Sequence, residues 1–215
     1  MSGELWTRAA HELAAMIAGG ETSSREVVDA HLARIDEVNG DLNAVVRVLA
    51  DGARAGADAA DAAVAADKPL GPYHGVPITI KENLDCTCSP TTQGVPAMAE
   101  AMPPMDAPVV ERMKAAGAIP LARTNLPELG LRISTNNPLH GLTRNPWNPD
   151  LTAGGSSGGE ASSIATGMSP FGLGNDLGGS LRNPASRAWV SGSTSAARTM
   201  RCSTERSSGV PETPT

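Results

Sequence analysis

Residues 154–185, GGSSGGEASSIATGMSPFGLGNDLGGSLRNPA, carry two glycine-serine clusters on either side of a short apolar segment. The first cluster contains Ser156 and runs directly into a helical pattern, whereas the second contains Ser180 and follows a strand-like run. A Gly-Ser run is also typical of flexible linkers. Glycines between strands and helices, however, let backbone N–H groups approach another group closely. The positions of both clusters therefore favour ordered loops at a functional site.

A phosphate-binding loop is one interpretation of the first cluster, because Gly154 and Gly159 have the G-x4-G spacing. Such a loop continues with Lys and then Ser or Thr, but this chain has Glu160 and Ala161 there. A carboxylate at that position would repel phosphate, so this interpretation is excluded.

Nucleophilic catalysis is another interpretation, and it makes the Ser180 hydroxyl the nucleophile. Leu177, Gly178 and Gly179 come directly before this serine. Their three consecutive backbone N–H groups can converge on one oxygen and form an oxyanion hole. The second cluster thus has the parts that acyl transfer requires, apart from a base.

The base is the open question, because a serine nucleophile usually relies on histidine. The chain has four histidines, none of them in a triad-like motif: His11, His31, His74 and His140. A lysine held neutral by burial can replace histidine. Lys81 suits this role because it ends the apolar run GVPITIK; the alternative is a strand-end lysine that extends into solvent.

Helical and strand patterns alternate along the chain, which predicts an α/β fold with parallel strand pairs. Helices are predicted up to Ala18 and over residues 24–38, 51–67, 108–116, 126–133 and 158–166. Strands are predicted over residues 43–49, 75–81, 119–121 and 170–173. Ser23 and Glu26 form a capping box, and Asp106 is the expected cap of the helix that begins at Pro108. The alanine-rich helix at 51–67 is expected to contribute little to the core.

Composition excludes several classes of protein. The net charge of −6 argues against a general nucleic-acid binder, and no apolar run approaches the ~20 residues that span a bilayer. The N-terminal segment has no signal-peptide pattern, which predicts a cytoplasmic protein. The three cysteines lack further metal ligands at suitable spacing, so reduced thiols and no metal site are expected.

From Gly75 to Ala185 the chain resembles the amidase signature family of serine hydrolases. GVPITIKEN is similar to the family's lysine-bearing strand. GGSSGG, the acid of G-x-D and then G-G-S-L-R-x-P match the family's signature, and ARTNLPELG extends the likeness over most of residues 5–185. The resemblance implies the N-terminal half of the amidase-signature fold, a mixed central sheet covered by helices.

The resemblance also implies a Ser-Ser-Lys triad. Ser180 is the expected nucleophile, Ser156 relays protons behind a cis peptide bond to Gly155, and Lys81 is the base. The oxyanion hole is expected at the N–H groups of Leu177, Gly178 and Gly179. Three further residues are expected to support the site: Ser157, Asp176 and Arg182. The chemistry needs no metal or organic cofactor.

The implied function is hydrolysis of a small-molecule amide through an acyl-serine intermediate. No nucleic acid or membrane partner is expected, and a homodimer is compatible with the family. Two alternatives stay open: the glutaminase-type subunit of a tRNA-dependent amidotransferase, and an inactive fragment.

The sequence changes character after Ala185. Residues 186–215 contain 12 Ser or Thr and no Leu, Ile or Phe, which is the composition of a disordered segment. The sequence therefore predicts a partial amidase domain at residues 1–185 and an aberrant tail at 186–215, from a frameshift or premature end, with impaired turnover. A natural short variant with a regulatory tail is the alternative.

Overall fold

The computed structural model describes residues 4–189 of the chain. Its α-helices are α1 (Ala10–Ala18), α2 (Ser24–Leu42), α3 (Ala50–Ala65), α4 (Pro108–Ala115), α5 (Gly158–Ala165) and α6 (Arg182–Trp189). Its strands are β1 (Val45–Val48), β2 (Pro77–Lys81), β3 (Ile119–Thr124), β4 (Asn136–Asn137), β5 (Gly141–Leu142) and β6 (Gly172–Leu173). The alternation of helices and strands confirms the predicted α/β class. Every helix in this range is too short or too polar to span a lipid bilayer.

Four strands form one mixed sheet in the order β1-β3-β2-β6. β2 pairs in parallel with β3 and with β6, whereas β1 runs antiparallel to β3. β4 and β5 form a separate two-stranded hairpin. The predicted parallel pairs are thus present, and β2 has a neighbour on each side.

The alternation of side chains along β2 decides which face carries the polar groups. Ile78 and Ile80 point into an apolar cluster with residues of α1 and α4. Thr79 and Lys81 point to the opposite face, where Thr79 donates a hydrogen bond to Glu160 of α5. All five residues of β2 are buried. The polar face of this strand is therefore enclosed between the sheet and α5.

The start of α2 is set by the predicted capping box. Ser23 Oγ accepts a hydrogen bond from Glu26 N–H at 3.0 Å, and Glu26 Oε2 accepts one from Ser23 N–H at 2.9 Å. The helix extends past the predicted end at Val38 and stops at Leu42, followed by Asn43 in the left-handed conformation.

The alanine-rich helix α3 contributes more to the core than its sequence suggests. Ala53, Ala57 and Ala60 are buried in one cluster with residues of α2, β1 and β3. A Cβ at Gly56 would lie 3.3 Å from the Ile119 side chain. The small side chains are needed because they let α3 lie close to β3, so the expectation of little core contribution is wrong.

The helix predicted over residues 126–133 is absent, and only a short 3-10 turn forms at Glu128–Gly130. The backbone groups that a helix would use are engaged elsewhere. Leu126 O accepts a hydrogen bond from Asn137 Nδ2 at 2.7 Å, and Leu129 N–H donates to Gln93 O at 2.9 Å. These tertiary contacts outweigh the local helical pattern.

Asp106 does not cap α4, whose first flanking residue is Ala107. The Asp106 carboxylate accepts a hydrogen bond from Thr87 N–H at 2.7 Å and pairs with Lys114 at 2.6 Å. It therefore joins the segment after β2 to α4.

Cys86 and Cys88 form a disulfide bond, which corrects the expectation of reduced thiols for this pair. Cys202 lies outside the described residues. The predicted domain boundary at Ala185 falls inside α6, which continues to Trp189. The remainder of the predicted tail, residues 190–215, also lies outside the described part of the chain.

Candidate active site

A buried lysine and a serine form the centre of the candidate site. Lys81 is the last residue of β2 and is 0% exposed. Its Nζ donates a hydrogen bond to Ser156 Oγ at 2.7 Å. Burial lowers the pKa of Lys81 to about 8, against the opposing effect of the charges on Glu160 and Asp176. About a tenth of this amine is therefore neutral at pH 7 and able to accept a proton.

The first glycine-serine cluster is part of the packed interior, so it is not a flexible linker. Residues 153–164 are all buried. A Cβ at Gly155 would lie 2.7 Å from Arg132 O, and one at Gly159 would lie 2.5 Å from Asn125 N. The Gly155–Ser156 peptide bond is cis, as the family resemblance implies. Glycine is required here because neighbouring backbone occupies the space of a side chain.

The second cluster is organised around the Asp176 carboxylate. Asp176 accepts hydrogen bonds from Gly179 N–H at 2.6 Å and Leu181 N–H at 3.0 Å, and it pairs with Arg182 at 2.9 Å. The Arg182 side chain, together with these N–H groups, holds the pKa of Asp176 well below its usual range. The loop that presents Ser180 is thus folded around one ionised carboxylate.

Ser157 joins the two clusters. Its N–H donates to Ser180 O at 3.0 Å, and its Oγ donates to Asn175 O at 3.3 Å. These bonds place the backbone of Ser180 beside the turn that carries Ser156. A side-chain contact between Ser156 and Ser180 stays a prediction.

The three residues predicted to form the oxyanion hole differ in their surroundings. Leu177 is 98% exposed and Gly178 is also exposed, whereas the Gly179 N–H already donates to Asp176. The assignment of these N–H groups to an oxyanion remains a prediction, with Leu177 and Gly178 the more accessible donors.

Sequence reasoning missed Glu160, which lies on α5 directly behind the lysine. Its carboxylate accepts hydrogen bonds from Thr79 and from Thr124 Oγ1, the latter at 2.6 Å. Complete burial raises the pKa of Glu160 to about 7. A charged residue in a run of Gly, Ala and Ser is a detectable signal, but its partners lie far away in sequence.

Sequence reasoning also missed Asn175, which precedes Asp176. Lys81 Nζ donates to Asn175 Oδ1 at 2.8 Å, so the amine contacts both glycine-serine clusters. No local pattern distinguishes this asparagine from an ordinary loop residue.

Arg123 of β3 holds the segment that follows Lys81. It is fully buried and donates to Leu84 O at 2.7 Å and to Ser89 Oγ at 2.8 Å. Burial lowers the pKa of Arg123 to about 10. This guanidinium thereby replaces backbone hydrogen bonds that the irregular segment lacks.

The chain matches a known protein family and is similar in sequence to named relatives. A family model described as Amidase matches residues 26–200. An indoleacetamide hydrolase of Bradyrhizobium diazoefficiens is 52% identical over 183 residues, which cover 85% of this chain and 35% of that protein. A glutamyl-tRNA(Gln) amidotransferase subunit of Acidothermus cellulolyticus is 43% identical over 189 residues, which cover 88% of this chain and 37% of that protein.

Comparison with a solved structure agrees with the sequence comparisons. A bacterial aryl acylamidase of the amidase signature enzymes superposes with a TM-score of 0.79 at 35% identity, over 83% of this chain and 37% of that one. The chain spans little more than a third of the length of the proteins that it matches.

Proposed function

Because the chain belongs to the amidase family, we propose that it hydrolyses a carboxylic amide to an acid and ammonia or an amine through an acyl-serine intermediate. The observation that carries this proposal is the 2.7 Å hydrogen bond between the buried Lys81 amine and Ser156 Oγ. A lysine buried at this depth, with a lowered pKa, is suited to general base catalysis.

The proposed reaction begins when Ser180 Oγ attacks the amide carbon. Ser156 takes the Ser180 proton and passes its own to the neutral amine of Lys81. The backbone N–H groups of Leu177 and Gly178 stabilise the oxyanion of the tetrahedral intermediate, while the Gly179 N–H stays bonded to Asp176. The C–N bond then breaks as the relay returns a proton to the leaving nitrogen, and water hydrolyses the acyl-serine. Ser157, Asp176 and Arg182 keep the two loops in place, and the steps involve no metal or organic cofactor.

The proposed substrate is a small molecule with a primary amide. The relative at 52% identity is named an indoleacetamide hydrolase, so arylacetamides are the first compounds to assay. We further propose a cytoplasmic location, no nucleic acid or membrane partner, and a homodimer as the assembly to look for.

The decisive test is labelling of the whole chain with a fluorophosphonate probe, followed by peptide mapping. We expect Ser180 to be the labelled serine and S180A to lose the label. S186A is the matched control, because Ser186 is an exposed serine on α6 and should leave labelling unchanged. Equal labelling of S180A would show that the nucleophile lies elsewhere.

A glutaminase-type amidotransferase component is the second candidate, because relatives named as a subunit of that enzyme are 41–44% identical. Glutaminase activity that depends on added partner proteins and aminoacyl-tRNA would favour it. Arylacetamide hydrolysis without them would favour the free amidase. Cooperative unfolding with no labelling at Ser180 would favour the inactive fragment.

A further inference from the structure

The Lys81 amine has a second partner, and the reaction proposed above gives that partner no role. Lys81 Nζ donates to Asn175 Oδ1 at 2.8 Å, between residues 94 positions apart. Lys81 is completely buried, whereas Asn175 lies at the surface. Asn175 is therefore the more exposed of the two partners of the amine, since Ser156 is buried.

The amide oxygen of Asn175 determines which atoms of the Lys81 amine remain available to Ser156. An amide oxygen accepts hydrogen bonds and cannot donate them. A neutral lysine amine has two N–H groups and one lone pair. When Asn175 Oδ1 accepts one N–H, the lone pair is left for Ser156 Oγ, 2.7 Å from the nitrogen.

Asn175 is itself held by the surrounding loops. Its backbone carbonyl accepts from Ser157 Oγ at 3.3 Å, and Asn83 Nδ2 lies 3.4 Å from its Oδ1. The next residue, Asp176, is fixed by N–H groups of its own loop. The amide oxygen is therefore presented to Lys81 by a backbone that both glycine-serine clusters constrain.

We propose that Asn175 is a positioning residue that orients the neutral Lys81 amine, so that its lone pair accepts the proton of Ser156. The inference rests on the proposed amide hydrolysis and adds a residue to its proton relay. In this role, Asn175 accepts a hydrogen bond from one N–H of the buried amine. Ser156 is then the only proton donor to that amine among the contacts described.

The test compares N175A and N175D in the whole chain, by the rate constant of fluorophosphonate labelling at Ser180 from pH 6 to pH 10. N175A should lower the alkaline plateau about tenfold or more, because the amine is no longer oriented. It should also move the midpoint to lower pH, since an acceptor that favours the ammonium form is lost. N175D should move the midpoint up by about one unit, because an adjacent anion favours that form.

N148A and N148D are the matched controls, because Asn148 is an exposed loop asparagine. They should change neither the plateau nor the midpoint. A merely structural role for Asn175 predicts a lower plateau and a lower melting temperature with an unmoved midpoint, and that result would overturn the proposal.

Titration of the Lys81 15Nζ resonance, assigned with K81R, measures the pKa of the amine without any labelling reaction. We expect a lower pKa in N175A and a higher one in N175D. An unchanged pKa in both variants would overturn the role of Asn175 even where Ser180 still reacts. If the pKa of Lys81 shifts as expected in a chain whose Ser180 does not react, the result would support the role of Asn175 and count against the proposed hydrolysis.

Discussion

At the scale of single residues, the site depends on a lysine that is chemically different from the others in the chain. Burial at the end of β2 lowers the pKa of Lys81 to about 8. The neutral amine is the form that accepts a proton, and its fraction rises as the pH passes through that value. The local motif GVPITIKEN indicated the position of this lysine, but only its burial explains its chemistry.

The pH dependence of labelling tests this explanation directly. The rate constant at Ser180 should rise with pH and level off above a midpoint near 8. K81A should reduce the plateau about 10²-fold or more, because the proton relay loses its base. The matched control is K68A, at an exposed lysine. A rate that is independent of pH from 6 to 10 would contradict the role of Lys81.

At the scale of elements, helix α5 is joined to the sheet by hydrogen bonds to a buried carboxylate. Glu160 connects α5 to Thr79 of β2 and to Thr124 of β3. A Cβ at Gly172 of β6 would collide with this carboxylate. The turn before α5 carries Ser156, so the placement of Glu160 also decides where that serine meets Lys81.

Glu160 should make the stability of the chain depend on pH. Its pKa is raised from 4.5 to about 7, so its contribution to folding is complete below 4.5 and is lost as the pH rises through 7. This loss amounts to about 3 kcal/mol. E160Q should remove that part of the pH dependence, as measured by urea unfolding at pH 4.5, 6 and 8.

E111Q is the matched control for E160Q, because Glu111 is exposed on α4. It should leave the pH dependence of the unfolding free energy unchanged. If E160Q keeps the wild-type profile, another group is responsible for that dependence.

The packing of α5 against the residue that follows β3 gives a second prediction at this scale. A Cβ at Gly159 would lie 2.5 Å from both N and O of Asn125, so G159A should destabilise the chain by about 1–3 kcal/mol. G52A in α3 is the matched control, because no atom lies within 4 Å of a Cβ there. Thermal unfolding should show a lower melting temperature for G159A and an equal or higher one for G52A. Equal melting temperatures would contradict the close approach.

At the scale of the whole molecule, apolar side chains remain exposed around the site. Leu177 is 98% exposed in the loop of Ser180, and Leu131 and Ile133 are 76% and 74% exposed near the turn of Ser156. The proteins that the chain resembles are nearly three times as long as the part it matches. Within the described residues, nothing packs against the outer side of the loop that carries Leu177.

We expect this exposure to be accompanied by slow turnover of an amide substrate. Ammonia release from indoleacetamide by the 215-residue chain should be about 10²-fold slower or more than by the Bradyrhizobium relative, because small displacements of catalytic groups have effects of that size. The comparison uses kcat at saturating substrate, with S180A as the background. A kcat equal to that of the relative would contradict this expectation.

Local sequence patterns determined helices α1 to α5, the four strands of the main sheet and the motif residues of this protein. Apolar periodicity and the Ser23–Glu26 capping box predicted α2, and the two glycine-serine clusters indicated Ser156 and Ser180. Only the tertiary structure decided that Asn175 is a second partner of Lys81, because Asn175 lies 94 residues away from it and no local pattern encodes that contact. The same holds for residues 126–133, where distant hydrogen-bond partners outweighed a local helical pattern. Local preferences are worth tenths of a kcal/mol per residue, whereas a buried polar group left without a partner costs about 1–3 kcal/mol, so tertiary contacts decide wherever the two conflict.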